Sequence, residues 1–274
     1  MTSNRHTAYD ALTSADYVEV DDRLGWVLGY PFALRALGVG GPGAPRVLLD
    51  YGCGPGKVAK RIARTYDIQV VAVDPSADML AIASQRYDDP RITYRRLQDD
   101  GLTFVADGSV DAAMCCFVFV VLPSREQLRS IAAEIWRVLR PGGRFVVLEP
   151  NPDQVGVRFS TFRSGEPGVA YQDGDQRPAR LMLTDGTWLE LQDYFWSLRT
   201  YEEVLTEAGF IDVQIETPLL AGAYGLAESV DLEAWDYEIE RVHPPLLLIS
   251  GVRPEITTHE TQSRASGAHP AMCR

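Results

Sequence analysis

The chain has 274 residues, enough for one large α/β domain with a full core or two small ones. Apolar residues make up 46% and charged residues 23%, the balance of a globular protein, and the net charge of −12 argues against a nucleic-acid surface, which needs a basic patch. No apolar run is long enough to span a membrane, Met1–His6 lacks the apolar core of a secretory signal, and Cys53, Cys115, Cys116 and Cys273 fit no zinc spacing, so the expectation is a cytoplasmic protein with reduced thiols and no metal.

Residues 1–40 read as helices laid against the domain edge, with Tyr9, Leu12 and Tyr17 as apolar points and a second helix from Tyr30-Pro31 through Leu37. Residues 38–45 form a loop. Val47–Leu49 is a short apolar run of the kind that makes a strand buried on both faces, and Asp50 ends it. Gly52, Gly54 and Gly56 then alternate, and from Lys57 the pattern turns helical through Val58 and Ile62. A strand, a glycine-rich turn and a helix open a βαβ unit, and open α/β sheets bind ligands at that edge. Glycine lets the backbone bend sharply and lets a ligand approach with no Cβ in the way. The spelling excludes two common ligands: the dinucleotide fingerprint fails at Lys57 or Ala59, and the phosphate loop fails at Tyr51 and Val58. A second apolar strand, Gln69–Val73, ends in Asp74. A carboxylate there can accept hydrogen bonds from both hydroxyls of a ribose; the alternative is a cap on the helix that starts near Ser76.

Asp50-x-Gly52-x-Gly54-x-Gly56 resembles the first motif of the class I S-adenosylmethionine-dependent methyltransferases, and Val73-Asp74-Pro75-Ser76-x-x-Met79-Leu80 resembles their second. The resemblance implies S-adenosylmethionine as cofactor, held by Asp50, Gly52, Cys53, Gly54, Gly56 and Asp74, with Pro75 and Met79 beside adenine and ribose. It also implies an N-terminal tyrosine reaching the methionine part of the cofactor, for which Tyr17 is the nearest match. The implied fold is a doubly wound, seven-stranded, mostly parallel sheet with an antiparallel last strand, helices on both faces and a helical N-terminal cover.

Along the chain, helix Ser76–Arg86 leads to a third strand at Ile92–Tyr94. Family members usually carry an Asp about four residues before a Leu-Pro-Phe; here Gln98 holds that place and Asp99 follows one step late. Either side chain can accept the adenine amino protons, and Asp99 is taken as the contact. Ala112–Leu122 reads as one long apolar strand, with Cys116 and Phe117 facing the cofactor. Ser124 is a cap candidate for helix Glu126–Leu139, whose Leu128, Ile131, Ile135 and Val138 form a core-facing stripe. Leu139-Arg-Pro-Gly-Gly143 followed by strand Arg144–Leu148 is a further family hallmark.

Residues 150–187 read as an insertion of loops with room for a hairpin, and Trp188–Trp196 as a strand. Thr200 opens a helix over 201–208, Phe210–Glu216 is a strand, 217–244 a second insertion, and Pro245–Val252 the last strand. The methyltransferase domain thus covers 46–252, and from Arg253 the polar tail reads as disordered. The motifs identify the cofactor and leave the acceptor open. Glu149 and Asn151, just past strand five, are the polar catalytic candidates; Tyr30, Trp188 and Tyr194 are candidates to touch the acceptor. The expected function is methyl transfer to oxygen, nitrogen or carbon of a small apolar or aromatic molecule, with no nucleic-acid or membrane partner and the oligomeric state open. The same motifs would serve a relative that binds the cofactor but catalyses cyclisation or decarboxylation, or one that only binds.

Overall fold

The computed structural model describes residues 16–98 and 101–255. Five parallel strands form the centre: β1 (Val47–Tyr51), β2 (Gln69–Asp74), β3 (Ile92–Arg96), β4 (Val110–Cys116) and β5 (Leu139–Pro150). With β9 (Ile211–Glu216) and β10 (Leu246–Val252) they make one seven-stranded sheet in the order β3-β2-β1-β4-β5-β10-β9, in which β10 alone runs antiparallel to its neighbours. This is the doubly wound sheet that the motifs imply.

Alternation along the strands builds two cores. Leu48, Val70, Ala72, Met114, Val146 and Leu148 pack under α1 (Arg23–Leu28), α2 (Tyr30–Ala36), α3 (Lys57–Tyr66) and α4 (Ala77–Arg86). Their neighbours Leu49, Val73, Ala113, Phe145 and Val147 pack under α5 (Arg125–Val138) and α6 (Leu198–Glu207). The period of two explains why these strands read as continuous apolar runs: both faces are covered. Serines start three of the helices by accepting from a backbone N–H three residues on: Ser76 from Met79, Ser124 from Gln127 and Ser197 from Thr200. The last corrects the expected start at Thr200, because the Ser197 hydroxyl opens the helix at Leu198.

Two strands differ from expectation. The run Ala112–Leu122 is not one strand: β4 stops at Cys116, Phe117 takes a left-handed φ of 58°, and Phe119–Val121 forms a 3₁₀ turn. The buried Glu149 carboxylate causes the stop, since its Oε1 accepts from the N–H groups of Val118 (3.1 Å) and Phe119 (2.7 Å). Backbone amides leaving a sheet need such a partner. β5 begins at Leu139 rather than Arg144, because Leu139 pairs with Val110 across a register shift.

The insertion at 150–187, together with 188–194, folds into a lid of three antiparallel strands: β6 (Phe162–Ser164), β7 (Gln176–Met182) and β8 (Trp188–Tyr194). The second insertion holds the short helices α7 (Leu220–Ala223) and α8 (Ser229–Leu232). The Arg61 side chain on α3 holds α8, pairing with Glu228 (3.0 Å) and Asp231 (2.6 Å), and lies 3.9 Å over the Trp26 ring. At the far end, the Arg253 guanidinium donates to the carbonyls of Trp136, Arg137 and Leu139 and lies 4.0 Å over Trp136. The rest of the expected tail, 256–274, lies outside the described residues, as do Tyr9, Leu12, Asp99 and Cys273.

Candidate active site

The glycine loop after β1 is held from behind. Gly52 and Cys53 donate their N–H groups to the Val73 carbonyl (2.8 and 3.0 Å), and Gly54 donates to Oδ2 of Asp74 (2.8 Å). Gly52, Gly54 and Gly56 all have positive φ, at 79°, 51° and 83°. Their needs differ: a Cβ on Gly52 would collide with Val118, whereas a Cβ on Gly54 would meet nothing within 4 Å. Gly54 therefore presents bare backbone to open space.

That space is a cleft of about 1210 Å³, counting its open mouth. Its floor is the glycine loop and the turn after β4, with Cys53, Gly54, Cys116 and Phe117. One wall is the N-terminal segment, with Tyr17, Val20, Asp21, Asp22, Leu24 and Tyr30. The roof is the lid, with Phe162, Ala179, Leu181, Leu191 and Asp193. Tyr30 packs on Trp26 (4.7 Å between centroids) and meets Phe117 edge-on (6.3 Å). The walls are thus mainly apolar and aromatic, with Asp21, Asp22, Asp193 and Lys57 as their charged groups. Lys57 donates to the Val20 carbonyl (3.2 Å), Asp21 is gripped by Arg23, and Asp22 accepts from the Trp26 ring N–H (3.3 Å).

Of the residues expected at a site, Tyr17, Tyr30, Gly52, Cys53, Gly54 and Phe117 line the cleft. Asp50 and Asp74 lie just behind the loop, 3% and 8% exposed. Burial and the neighbouring Asp74 push the Asp50 carboxyl up to about 7, and its Oδ2 has no partner. Asp74 accepts from Ser76 as well as Gly54 (2.8 Å each), so it braces the loop and the start of α4 together; burial raises its pKa and those two bonds oppose the rise. Gly56 faces inward against Tyr94 and Ala83. Pro75 and Met79 flank the Ser76 cap without lining the cleft, Met79 being buried in α4.

Four expectations are corrected by geometry. Trp188 does not border the cleft. In β8 the odd residues Leu191 and Asp193 face inward, so Trp188 points outward, under Arg158 (5.2 Å) and beside the Arg180–Glu190 ion pair (3.1 Å). Tyr194 shares that parity and meets the Gln176 amide with its hydroxyl (3.2 Å). A one-residue change of register would reverse these roles, which is why alternation alone could not choose the face. Asn151 caps the turn Pro152–Gln154 and donates to the Pro244 carbonyl (3.0 Å), tying the two insertions together. Glu149 is fully buried behind the floor; burial raises its pKa well above the carboxylate range, with Asp193 adding and Arg177 opposing.

The charged groups of the lid carried no motif. Arg177 on β7 stands opposite Asp193 on β8. It is 1% exposed, its Nε and Nη1 have no partner, and its guanidinium lies 5.7 Å over Phe195. The only sequence signal was a charged residue at inward parity in each strand of the hairpin. Among the described residues no cluster of three or more His, Cys, Asp or Glu is placed to hold a metal, and no helix is long and apolar enough to cross a membrane.

Comparison with known proteins agrees with this arrangement. Residues 48–143, from β1 into β5, match the model of a methyltransferase domain. The chain is 38% identical over 216 residues to N-demethylindolmycin N-methyltransferase of Streptomyces griseus, covering 77% of this chain and 90% of that one. It is 30% identical over 192 residues to a ubiquinone/menaquinone biosynthesis C-methyltransferase of Desulfotalea psychrophila, covering 68% and 74%. Among solved structures, the CcbJ methyltransferase of Streptomyces caelestis superposes with a TM-score of 0.57 at 15% identity, over 84% of this chain and 95% of that one. An S-adenosylmethionine-dependent methyltransferase of Mesorhizobium loti gives 0.52 at 23%, over 82% and 99%; at such identities the likeness is one of fold. With the Asp50–Gly56 loop, the Asp74 strand end and relatives matched over most of their length, the chain belongs to the class I S-adenosylmethionine-dependent methyltransferases of the small-molecule type.

Proposed function

We propose that this methyltransferase methylates a basic nitrogen on a small molecule with a flat, apolar body. The observation that carries the reading is the cleft: aromatic and aliphatic walls with carboxylates from two sides and a single lysine already bonded to backbone. Such walls suit a flat apolar body, and the carboxylates suit a cationic nitrogen. The overall charge of −12 suits neither nucleic acid nor an anionic acceptor. The relative from Streptomyces griseus, whose name gives an N-methyltransferase, supports nitrogen as the acceptor atom.

The residues behind the floor fit the cofactor. Bare backbone at Gly54 allows close approach, the orphaned Asp50 Oδ2 offers an acceptor, and each Asp74 oxygen keeps a lone pair beyond its backbone bond. In this reading Gly52, Cys53, Gly54, Asp50 and Asp74 hold S-adenosylmethionine, with Tyr17 and Phe117 around it and Pro75 and Met79 supporting the Asp74 turn from behind, while Tyr30 and the lid residues Phe162 and Leu191 hold the acceptor. S-adenosylmethionine supplies an electrophilic methyl group on a sulfonium, a leaving group that needs no further activation. The protein's part is to align the acceptor nitrogen, keep its lone pair free and exclude water. The test is incubation with methyl-labelled S-adenosylmethionine and a panel of aryl-bearing alkylamines, phenols and carbon acids, with products located by mass spectrometry. N-methyl products are expected; methylation confined to oxygen or carbon overturns the nitrogen assignment.

A further inference from the structure

Asp193 is the carboxylate of the cleft without a protein partner. β8 carries it into the roof, where it is 6% exposed and borders the cleft. Among the described residues its carboxylate accepts no hydrogen bond and makes no ion pair within 4 Å, unlike Asp21 and Asp22 across the cleft. A carboxylate that opens onto the cleft, faces a cation and accepts from no protein donor is placed to accept from a donor that the ligand brings.

The charged and titratable groups around it come from several elements. Arg177 faces it from β7, with two unpartnered nitrogens. Glu149 lies behind the floor on β5, with Oε2 unpartnered and its pKa raised by burial against the pull of the two backbone bonds it accepts. The Tyr17 and Tyr201 phenols are held above their ordinary range by burial and by the nearby carboxylates, and stay neutral. Asp21 and Asp22 complete the set across the cleft. Asp21 is held by Arg23 and Lys57 by the Val20 carbonyl, so the cation that faces Asp193 directly is Arg177. Burial raises Asp193 to about 6 while Arg177 holds the rise back, which leaves it anionic at neutral pH yet basic enough to take a proton.

We propose, resting on the nitrogen reading above, that Asp193 receives the acceptor as an ammonium ion and removes its proton, and that Arg177 is a positioning residue that keeps Asp193 ionised. An ammonium nitrogen has no lone pair. One N–H bond breaks, its electron pair stays on nitrogen, and the proton passes to an Asp193 oxygen; the products are a neutral amine and a carboxylic acid, which later returns its proton to solvent. The apolar walls help, because burial lowers an amine's pKa while it raises a carboxyl's, bringing the two together. The acceptor class is therefore a primary or secondary alkylamine rather than a nitrogen already neutral at pH 7.

The test is the pH dependence of kcat/KM for the best amine of the panel, with wild type, Asp193→Asn, Asp193→Glu and Arg177→Met, and calorimetric binding of S-adenosylhomocysteine as the control for a folded cofactor site. In wild type an acid limb near pH 6 is expected. Asp193→Asn is expected to lose about 100-fold or more of kcat/KM at pH 7.5, the usual worth of a positioned base, with its acid limb gone and cofactor binding within twofold. Asp193→Glu should restore part of the rate with an acid limb. Arg177→Met should move the limb to higher pH, since removing the cation raises the Asp193 pKa. Asp193→Asn within threefold of wild type, or wild type with no acid limb, overturns the proposal while leaving N-methylation standing. No N-methyl product from wild type overturns both.

Discussion

The seven-stranded sheet and the three-stranded lid meet at one cleft and are built differently. The central strands β1, β2, β4 and β5 are covered on both faces, so Leu48 and Leu49 or Val146 and Val147 feed opposite cores and their buried charged residues, Asp50, Asp74 and Glu149, lie toward the strand C-termini. Lid strands have one face on the cleft and one on solvent: Ala179, Leu181, Leu191 and Asp193 line the cleft, while Arg180 and Glu190 pair outside. In the proposed reading the sheet edge serves the cofactor, and the lid supplies the side chains that face the acceptor. A doubly covered strand has little freedom to vary, and a half-covered one has much.

Three substitutions would break or sharpen this contrast. The largest effect is expected from Asp50→Asn on the sheet side. Because the folded pKa of Asp50 is raised above the ordinary 3.8 to about 7, the stability tied to its neutral form is whole below 3.8 and lost as pH rises through 7. The amide stays neutral, so urea unfolding should show the variant more stable by on the order of 2–4 kcal/mol at pH 8, a gain that shrinks steeply toward pH 5. Its affinity for S-adenosylmethionine should fall at the same time. A variant no more stable at pH 8 than wild type would show that Asp50 is not held against its preference.

Asp74→Ala comes next. Removing a carboxylate that can bond the cofactor and that braces Gly54 should weaken S-adenosylmethionine binding by roughly 1.5–3 kcal/mol in calorimetry. Unchanged affinity in a folded variant would reduce Asp74 to a loop brace. The smallest effect is expected from Trp188→Ala on the outer face of the lid. Its ring contacts Arg158 outside the cleft, so the acceptor KM and kcat should stay within twofold and stability should change by less than about 1 kcal/mol. A marked rise in KM would mean that the lid turns its other face to the substrate.

Much of the cofactor edge was legible in the sequence. The spacing Asp50-Gly52-Gly54-Gly56, the second strand ending in Asp74 and the Leu139–Gly143 turn are local, and each meets a need that only those residue types satisfy at a strand end or tight turn. Doubly buried strands also announce themselves as apolar runs, which is why the sheet could be read. The exception was the run after Ala112, where Glu149, about thirty residues away in sequence, draws the backbone of Val118 and Phe119 out of the strand.

The acceptor side was not legible, for a reason that lies in geometry. Alternation over Trp188–Tyr194 is the same whichever face turns inward, so aromatic size pointed to Trp188 and Tyr194 when register had given the cleft to Leu191 and Asp193. Nothing local links Arg177 to Asp193 or either of them to Glu149, since their meeting depends on a hairpin closing over the end of β5. The sequence by itself determined the fold and the cofactor, because those depend on patterns within a few residues. Only the tertiary structure decided which charges face the cleft, because that depends on which side of a lid strand is buried and on contacts between segments far apart in the chain.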